Sequence, residues 1–466
     1  MLFRTIALLL LFISTASAQV PLGIGPAWPT DEVTLVNGAK FQGLIVEETV
    51  FGLTFQTVKR PPGRPTLTFT TFFAKKEIDK IKKLSDPDRT VLRARLAELD
   101  GNGTGERLRM DALDLAPVEW LGQKNGAKRY EADQFVLLSA APEEVTRRAA
   151  VRLEQIYTAF GRYMPPRFDA ARPTSVELAG DLDQYKRLLK ASAGEVLNAA
   201  VYFPSENRIL CGTDLRRLGA ELHRTRILHL QQLAATDKYE KEIRELYKGS
   251  KPDLDRYLGV VKREREKVYA ADRENDRTFD GATRRLFAIL YHEAFHSYAM
   301  TYVYPARSPA EVKAGKGTGE LPRFLNEGLA QLFENPVIEA GELRIGHADA
   351  DRLKRVQDWL AGKNPPGPVP LADLLKAGKE TFLAAHANQQ ESADRTYLTC
   401  WALAFHLMFE RRLIGTAAFD GYLKAINTGA DPAKAFAALV GQELPAYEKD
   451  WHEYLKKLGT DGTVRK

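Results

Sequence analysis

The chain has 466 residues, of which 44% are apolar and 27% charged. That balance excludes a collagen-like repeat, a disulfide-dense mini-scaffold and a wholly disordered chain, and at roughly 150 residues per domain it leaves room for about three structural units. The formal net charge of +6 is too thin an excess for this length to argue for a nucleic-acid partner.

Residues 1–18 read as a secretory leader. Arg4 supplies the positive start, Ile6–Ile13 the apolar run, and Ala16-Ser17-Ala18 an A-x-A cleavage signal. This predicts a mature start near Gln19, a secreted or periplasmic protein, and no stable membrane anchor after cleavage, because the apolar run is shorter than the ~20 residues a span needs. Cys211 and Cys400 are the only cysteines, and sequence alone does not say whether they meet.

Residues 31–84 are strand-like. Val33, Leu35, Phe41, Leu44, Val46, Phe51, Leu53 and Phe55 recur near period two, with turn signals at Asn37-Gly38 and Pro61-Pro62-Gly63. The expectation is a small β-barrel or curled sheet, SH3-like in size. Thr90–Leu99 predicts a short helix, and 106–212 an α/β layer. Within that layer, strands are expected at Arg107–Leu121, Arg129–Ala140, Ser175–Ala179, Ala199–Phe203 and Arg208–Leu210. Helices are expected at Pro142–Phe160 and Leu182–Lys190. Residues 213–280 are dense in charge, with leucines at helical spacing and a break at Ser250-Lys251-Pro252. They predict a charged helical hairpin whose charge forms a solvated face, the alternative being a partner-binding arm or a lid over the site that follows. Residues 281–460 are helical, broken by loops at 305–321 and 362–370.

The chemistry concentrates at Tyr291–Tyr298, which contains His292-Glu293-Ala294-Phe295-His296, an H-E-x-x-H motif. On a helix His292 and His296 stand one turn apart on one face, the spacing that lets two imidazoles grip one Zn²⁺. Glu293 is offset by about 100°, beside the ion rather than on it, where a carboxylate serves as general base. Such a site needs a third protein ligand. Glu327 lies in Leu321–Glu334, within the apolar helical stripe of Phe324, Leu325, Leu329 and Leu332, and a carboxylate there needs a partner. Glu334 and Asp394 are both available to hold the far nitrogen of a ligating imidazole.

H-E-x-x-H followed by Asn326-Glu327-Gly328-Leu329-Ala330 resembles the gluzincin metallopeptidases, the thermolysin-like peptidase MA clan, and Phe324–Ala330 resembles the glutamate-bearing helix of its aminopeptidases. The wider pattern from Arg129 onward resembles the DUF1570 proteins, secreted peptidase-MA-like chains. The resemblance implies an α+β fold with a thermolysin-like gluzincin core: a small sheet packed on the H-E-x-x-H helix and a helical C-terminal lobe. It implies one zinc ion held by His292, His296 and Glu327, Glu293 as the base, and a peptide or protein substrate. Tyr397, at the start of a late helix, and His386 are candidate donors to the oxyanion of the reaction. The clan's G-x-M-E-N signature is absent, so aminopeptidase action is not implied.

His406 lies among Leu403, Phe405, Leu407 and Met408 and reads as a core histidine; His223 and His229 read as surface. Tyr298 and Tyr302 read as packing. There is no G-x-S-x-G elbow, P-loop or C-x-x-C pair. Two other readings stand beside the peptidase: a non-catalytic, peptidase-like envelope protein, and a zinc hydrolase acting on a non-peptide bond.

Overall fold

The computed structural model describes residues 28–99, 104–170, 172–191, 199–212, 214–340, 342–363, 367–378, 382 and 390–465. The expected leader and His386 lie outside them. Among the described residues no helix is long and apolar enough to cross a membrane.

The N-terminal unit is an antiparallel sheet of β1 (Asp31–Leu35), β2 (Lys40–Glu48), β3 (Gly52–Lys59), β4 (Leu67–Ala74) and β5 (Ile78–Lys82), in the order β4-β3-β2-β1-β5. The expected barrel does not close. The turn at Lys75–Glu77 sends β5 across the sheet to pair with β1, so β4 and β5 end on opposite edges. Val33, Ile45, Leu53, Phe55 and Phe73 fill one face. Buried Asp31 accepts the Ile45 and Leu84 amides, each at 2.7 Å.

Helix α1 (Asp86–Glu98) starts on a Ser85 cap and α2 spans Thr104–Ala112. The stretch expected as one strand over Arg107–Leu121 therefore divides: its first part is helical and only β6 (Ala116–Trp120) is strand. β6, β7 (Gln123–Glu131), β8 (Phe135–Ser139), β9 (Thr174–Ala179), β10 (Ala200–Phe203) and β11 (Arg208–Gly212) form a six-stranded sheet, in the order β10-β11-β9-β8-β7-β6. β8, β9 and β11 run parallel, while β10 returns antiparallel as an edge. Helices α3 (Glu143–Tyr163) and α4 (Leu182–Ala191) connect the strands.

The charged region folds as α5 (Leu215–Leu246) turning into α6 (Lys251–Tyr298). No helix boundary falls at 280. The same 48-residue helix that returns from the hairpin tip runs on into the H-E-x-x-H motif, a rod of about 72 Å at 1.5 Å per residue. After Tyr298 it widens into a π turn over Ala299–Val303, closed by the Tyr304 amide on the Ala299 carbonyl at 2.7 Å.

The remainder is α7 (Pro309–Lys313), α8 (Arg323–Leu332), the hairpin β12 (Val337–Glu339) and β13 (Glu342–Arg344), α9 (Ala350–Leu360), α10 (Leu371–Lys376), α11 (Gln390–Phe405), α12 (Ala417–Asn427), α13 (Pro432–Val440) and α14 (Leu444–Lys457). The whole is a mixed α+β fold. One apolar core joins the six-stranded sheet, α3, α6, α8 and the C-terminal helices. Its centre is aromatic. Phe333 follows α8 and packs on Phe160 of α3 (4.8 Å between ring centres) and on Phe295 inside the motif (5.5 Å), which fixes α8 against the motif helix.

The N-terminal sheet clamps onto the β12–β13 hairpin. Arg60 pairs with Glu342 at 2.7 Å, the Thr66 amide donates to Glu339 at 2.6 Å, and Arg344 donates to the Arg64 carbonyl at 2.6 Å. Trp28 donates to Glu342 at 3.3 Å beneath the Arg60 guanidinium. The first domain is thereby tied to the segment that follows the Glu327 helix.

Candidate metal centre

Helix α6 delivers His292 and His296 on one face, with ring centres 4.6 Å apart. Helix α8 brings Glu327 against them: Oε2 stands 3.2 Å from His292 Nε2 and Oε1 stands 3.6 Å from His296 Nε2. One ligand atom from each of the three residues falls within 4.8 Å of the others, and the group could hold a metal ion. Two donors about 2.1 Å from a tetrahedral ion lie about 3.4 Å apart, so the two measured separations fit one. Asp394 belongs to α11, but its side chain is outside the described residues.

The far nitrogens are already committed. His292 Nδ1 meets Glu334 Oε1 at 2.7 Å, and His296 Nδ1 meets the Asn326 amide oxygen at 3.0 Å. With each Nδ1–H donating outward, both Nε2 atoms are left for the centre. Glu334 is held in turn by Arg352, which caps the end of α8 by donating to the Gln331 carbonyl at 3.1 Å.

A further observation favours a cation. Glu327 is buried, and its Oε1 has no hydrogen-bond donor aligned on it. Arg323 Nη2 lies 2.6 Å away as an ion pair, off the hydrogen-bonding angle. That oxygen lies among two imidazoles and a guanidinium, and as a carboxylate without an aligned hydrogen-bond donor it could also ligate a divalent ion.

The protonation pattern follows. Burial works against a charged His292, yet the carboxylates of Glu327 and Glu334 outweigh it and raise the imidazole to about 10. His296 lacks a second carboxylate, and burial takes it down to about 4. Burial opposes ionisation of Glu327 too, but the two imidazoles and Arg323 bring it to about 2. Without metal, the His292 proton occupies part of the role a cation would play.

Glu293 sits beside the group without joining it. Burial pushes its carboxyl up to about 7, against the lowering effect of His292, and its Oε2 accepts the Tyr202 amide of β10 at 2.9 Å. The hairpin that brings this amide is pinned to α6 at its turn. Asn207, at φ +47°, places its side-chain oxygen 3.3 Å from the Ser297 hydroxyl and 3.2 Å from those of Thr301 and Tyr202. Asparagine tolerates that left-handed backbone better than most residues.

Tyr397 is half-buried on α11, edge-on to Phe382 at 5.7 Å. Burial raises its phenol first and the charge of Glu327 second, so it is uncharged and within electrostatic reach of the centre. Gly328 explains why α11 lies so near: a Cβ there would meet the Cys400 carbonyl oxygen at 2.4 Å, so the helices cross backbone to backbone.

The other singled-out residues fall elsewhere. His406 is buried against the Tyr447 hydroxyl at 2.8 Å. Tyr298 and Tyr302 donate to the Met164 and Gln134 carbonyls. Cys211 and Cys400 are buried free thiols. His223 is exposed, but His229 is not a surface residue: it meets Asp272 at 2.9 Å within an ion network at the base of the hairpin. There Asp276 holds Arg148 at 2.8 Å and Arg226 at 2.7 Å, and Arg107 reaches Asp272. The hairpin's charge is therefore solvated along most of its length, as expected, but at its base Arg226, Asp272, Asp276 and Asp280 fasten α5 and α6 to α3.

Sequence reasoning missed Asn326, Arg323, Arg352 and the Tyr202 amide. Asn326 and Arg323 carried a signal, being polar residues on the stripe that bears Glu327; the Tyr202 amide carried none, because it acts through its backbone.

A family model described as a protein of unknown function (DUF1570) matches residues 287–424, a span that holds the whole imidazole–carboxylate group and Tyr397. No curated protein and no solved structure matches the chain.

Proposed function

We propose that this chain is a zinc-dependent metallopeptidase, exported from the cytoplasm, that hydrolyses peptide bonds in a peptide or protein substrate. The observation that carries the reading is the convergence of His292, His296 and Glu327, with the half-buried Glu293 carboxylate held beside them by the Tyr202 amide. Those three residues are the ones that would hold the ion, and a bound Zn²⁺ supplies a Lewis acid and lowers the pKa of water toward ~7.

The protein's own groups do the rest. Glu334 and Asn326 keep both imidazoles turned inward. Glu293, poised near neutrality and fixed by the Tyr202 amide, takes the proton of the attacking water and returns it to the leaving amine. Tyr397 is the candidate donor to the oxyanion; a phenol held uncharged can donate throughout the neutral range.

The test is Glu293→Gln. The variant should keep its zinc and lose turnover of a casein-like substrate by ~10²–10⁴. A zinc-loaded Gln variant that cleaves at the wild-type rate rejects the assignment.

A further inference from the structure

Arg323 is oddly placed for a metal site. One turn before Glu327 on α8, it sets a guanidinium 2.6 Å from an oxygen that a cation would use. Arg352 shows what plain neutralisation looks like: it pairs with Glu334 and also donates to the Gln331 carbonyl. Arg323 is less enclosed, with its side chain 37% exposed, and its buried Nε is bonded to nothing. It also lines a cavity of about 260 Å³ beside the centre, walled by Ala299, Met300, Tyr304 and Leu321. That volume is below the roughly 300–1,000 Å³ of drug-sized sites and suits a single residue.

These features share one explanation. A divalent ion held by Glu327 would compete with the guanidinium for that oxygen, and Arg323, which already lines the cavity, would then have a planar fork free for another carboxylate. The geometry points to a substrate with a free C-terminal carboxylate, bound by Arg323, with its last side chain in the cavity. The final peptide bond then lies at the metal centre. Water's oxygen bonds to the acyl carbon, the C–N bond breaks, and the released amino acid takes the proton. Glu320, the other charged residue lining the cavity, disfavours an acidic side chain there. The inference rests on the peptidase reading and sharpens it to carboxypeptidase action.

Two pairs of probes separate the claims, using the full zinc-loaded chain. N-benzoyl-leucine and its amide test binding by calorimetry, and benzoyl-glycyl-leucine and its amide test hydrolysis. The acid should be preferred about tenfold or more in both, mainly through Kd and KM. Arg323→Gln should bring both ratios toward one, and Arg323→Lys should keep part of the preference. Because each ratio is internal, a change in zinc content of a variant cancels. Equal binding of the wild type to acid and amide overturns the inference, even if casein is cut. An unchanged ratio in Arg323→Gln overturns it as well. Acid preference with no cleavage of any peptide defeats the peptidase reading instead, and with it the claim that the bound carboxylate belongs to a substrate.

Discussion

The arginine–carboxylate network at the base of the hairpin and the imidazole–carboxylate group at His292 sit on one helix, about 24 Å apart by the rise from Asp276. Both are buried concentrations of charge, and they differ in what completes them. At the base, Arg148, Arg152, Arg226 and Arg107 face Glu106, Glu144, Asp272, Asp276 and Asp280. Guanidinium groups do not deprotonate and cannot bind a metal, so the charge of that network is balanced by the chain's own carboxylates, although Arg148 Nε and Nη1 and Arg226 Nε have no hydrogen-bond partner. At His292 the basic groups are imidazoles, which titrate and ligate, and Glu327 Oε1 is left without an aligned donor. One cluster fastens a helix; the other could hold a metal ion.

That contrast predicts opposite phenotypes. Arg148→Ala removes a buried guanidinium and leaves Asp276 and Glu144 to Arg226, with Arg107 also near Asp276; it should cost about 1–3 kcal/mol in unfolding free energy, read by denaturant titration, while zinc content stays unchanged. A loss of zinc without a loss of stability would erase the distinction between the two clusters.

Glu334→Gln probes the other cluster from its edge. It weakens the acceptor on His292 Nδ1 and should lower zinc affinity ~10–100-fold by competition with a chelating dye, with little change in stability.

The smallest effect is in the pH dependence. His292 in the metal-free chain is raised from 6.5 to about 10. Its imidazolium therefore stabilises the metal-free fold fully below about 6.5, and that contribution is lost as pH rises through about 10. A metal must displace this proton, whereas His296, at about 4, has none to lose near neutrality. Zinc binding near neutral pH should release about one proton from the pair, and affinity should rise up to about tenfold per pH unit. Calorimetry in buffers of different ionisation heat measures the count; no proton released would mean that His292 is already neutral in the metal-free chain or does not ligate, and His292→Ala zinc content separates the two.

The two clusters were also unequally legible in the sequence. His292, His296 and Glu293 announce themselves through helical spacing, and Glu327 through a carboxylate set on an apolar stripe, because each signal is local. The hairpin base announced nothing: Arg148 reads as an ordinary helix residue until Asp276, far along the chain, comes to lie against it, and His229 reads as surface for the same reason. Helical periodicity showed α5 and α6 but not that α6 continues through residue 280, since Asp280-Gly281 reads as a breaker that the long helix in fact absorbs. For the N-terminal sheet, period-two alternation gives strands without their pairing and so left barrel and curled sheet both open; the short Lys75–Glu77 turn decides that β5 crosses to β1. The Tyr202 amide on Glu293 was out of reach altogether, since a backbone donor has no residue type to betray it.

Zinc content of the purified full chain, wild type against His296→Ala, tests the central claim most directly. After dialysis against zinc and then buffer, the wild type should carry about one ion per chain and the folded variant close to none. A wild type that stays folded, zinc-free and indifferent to chelators, or a variant that keeps its ion, would contradict the account.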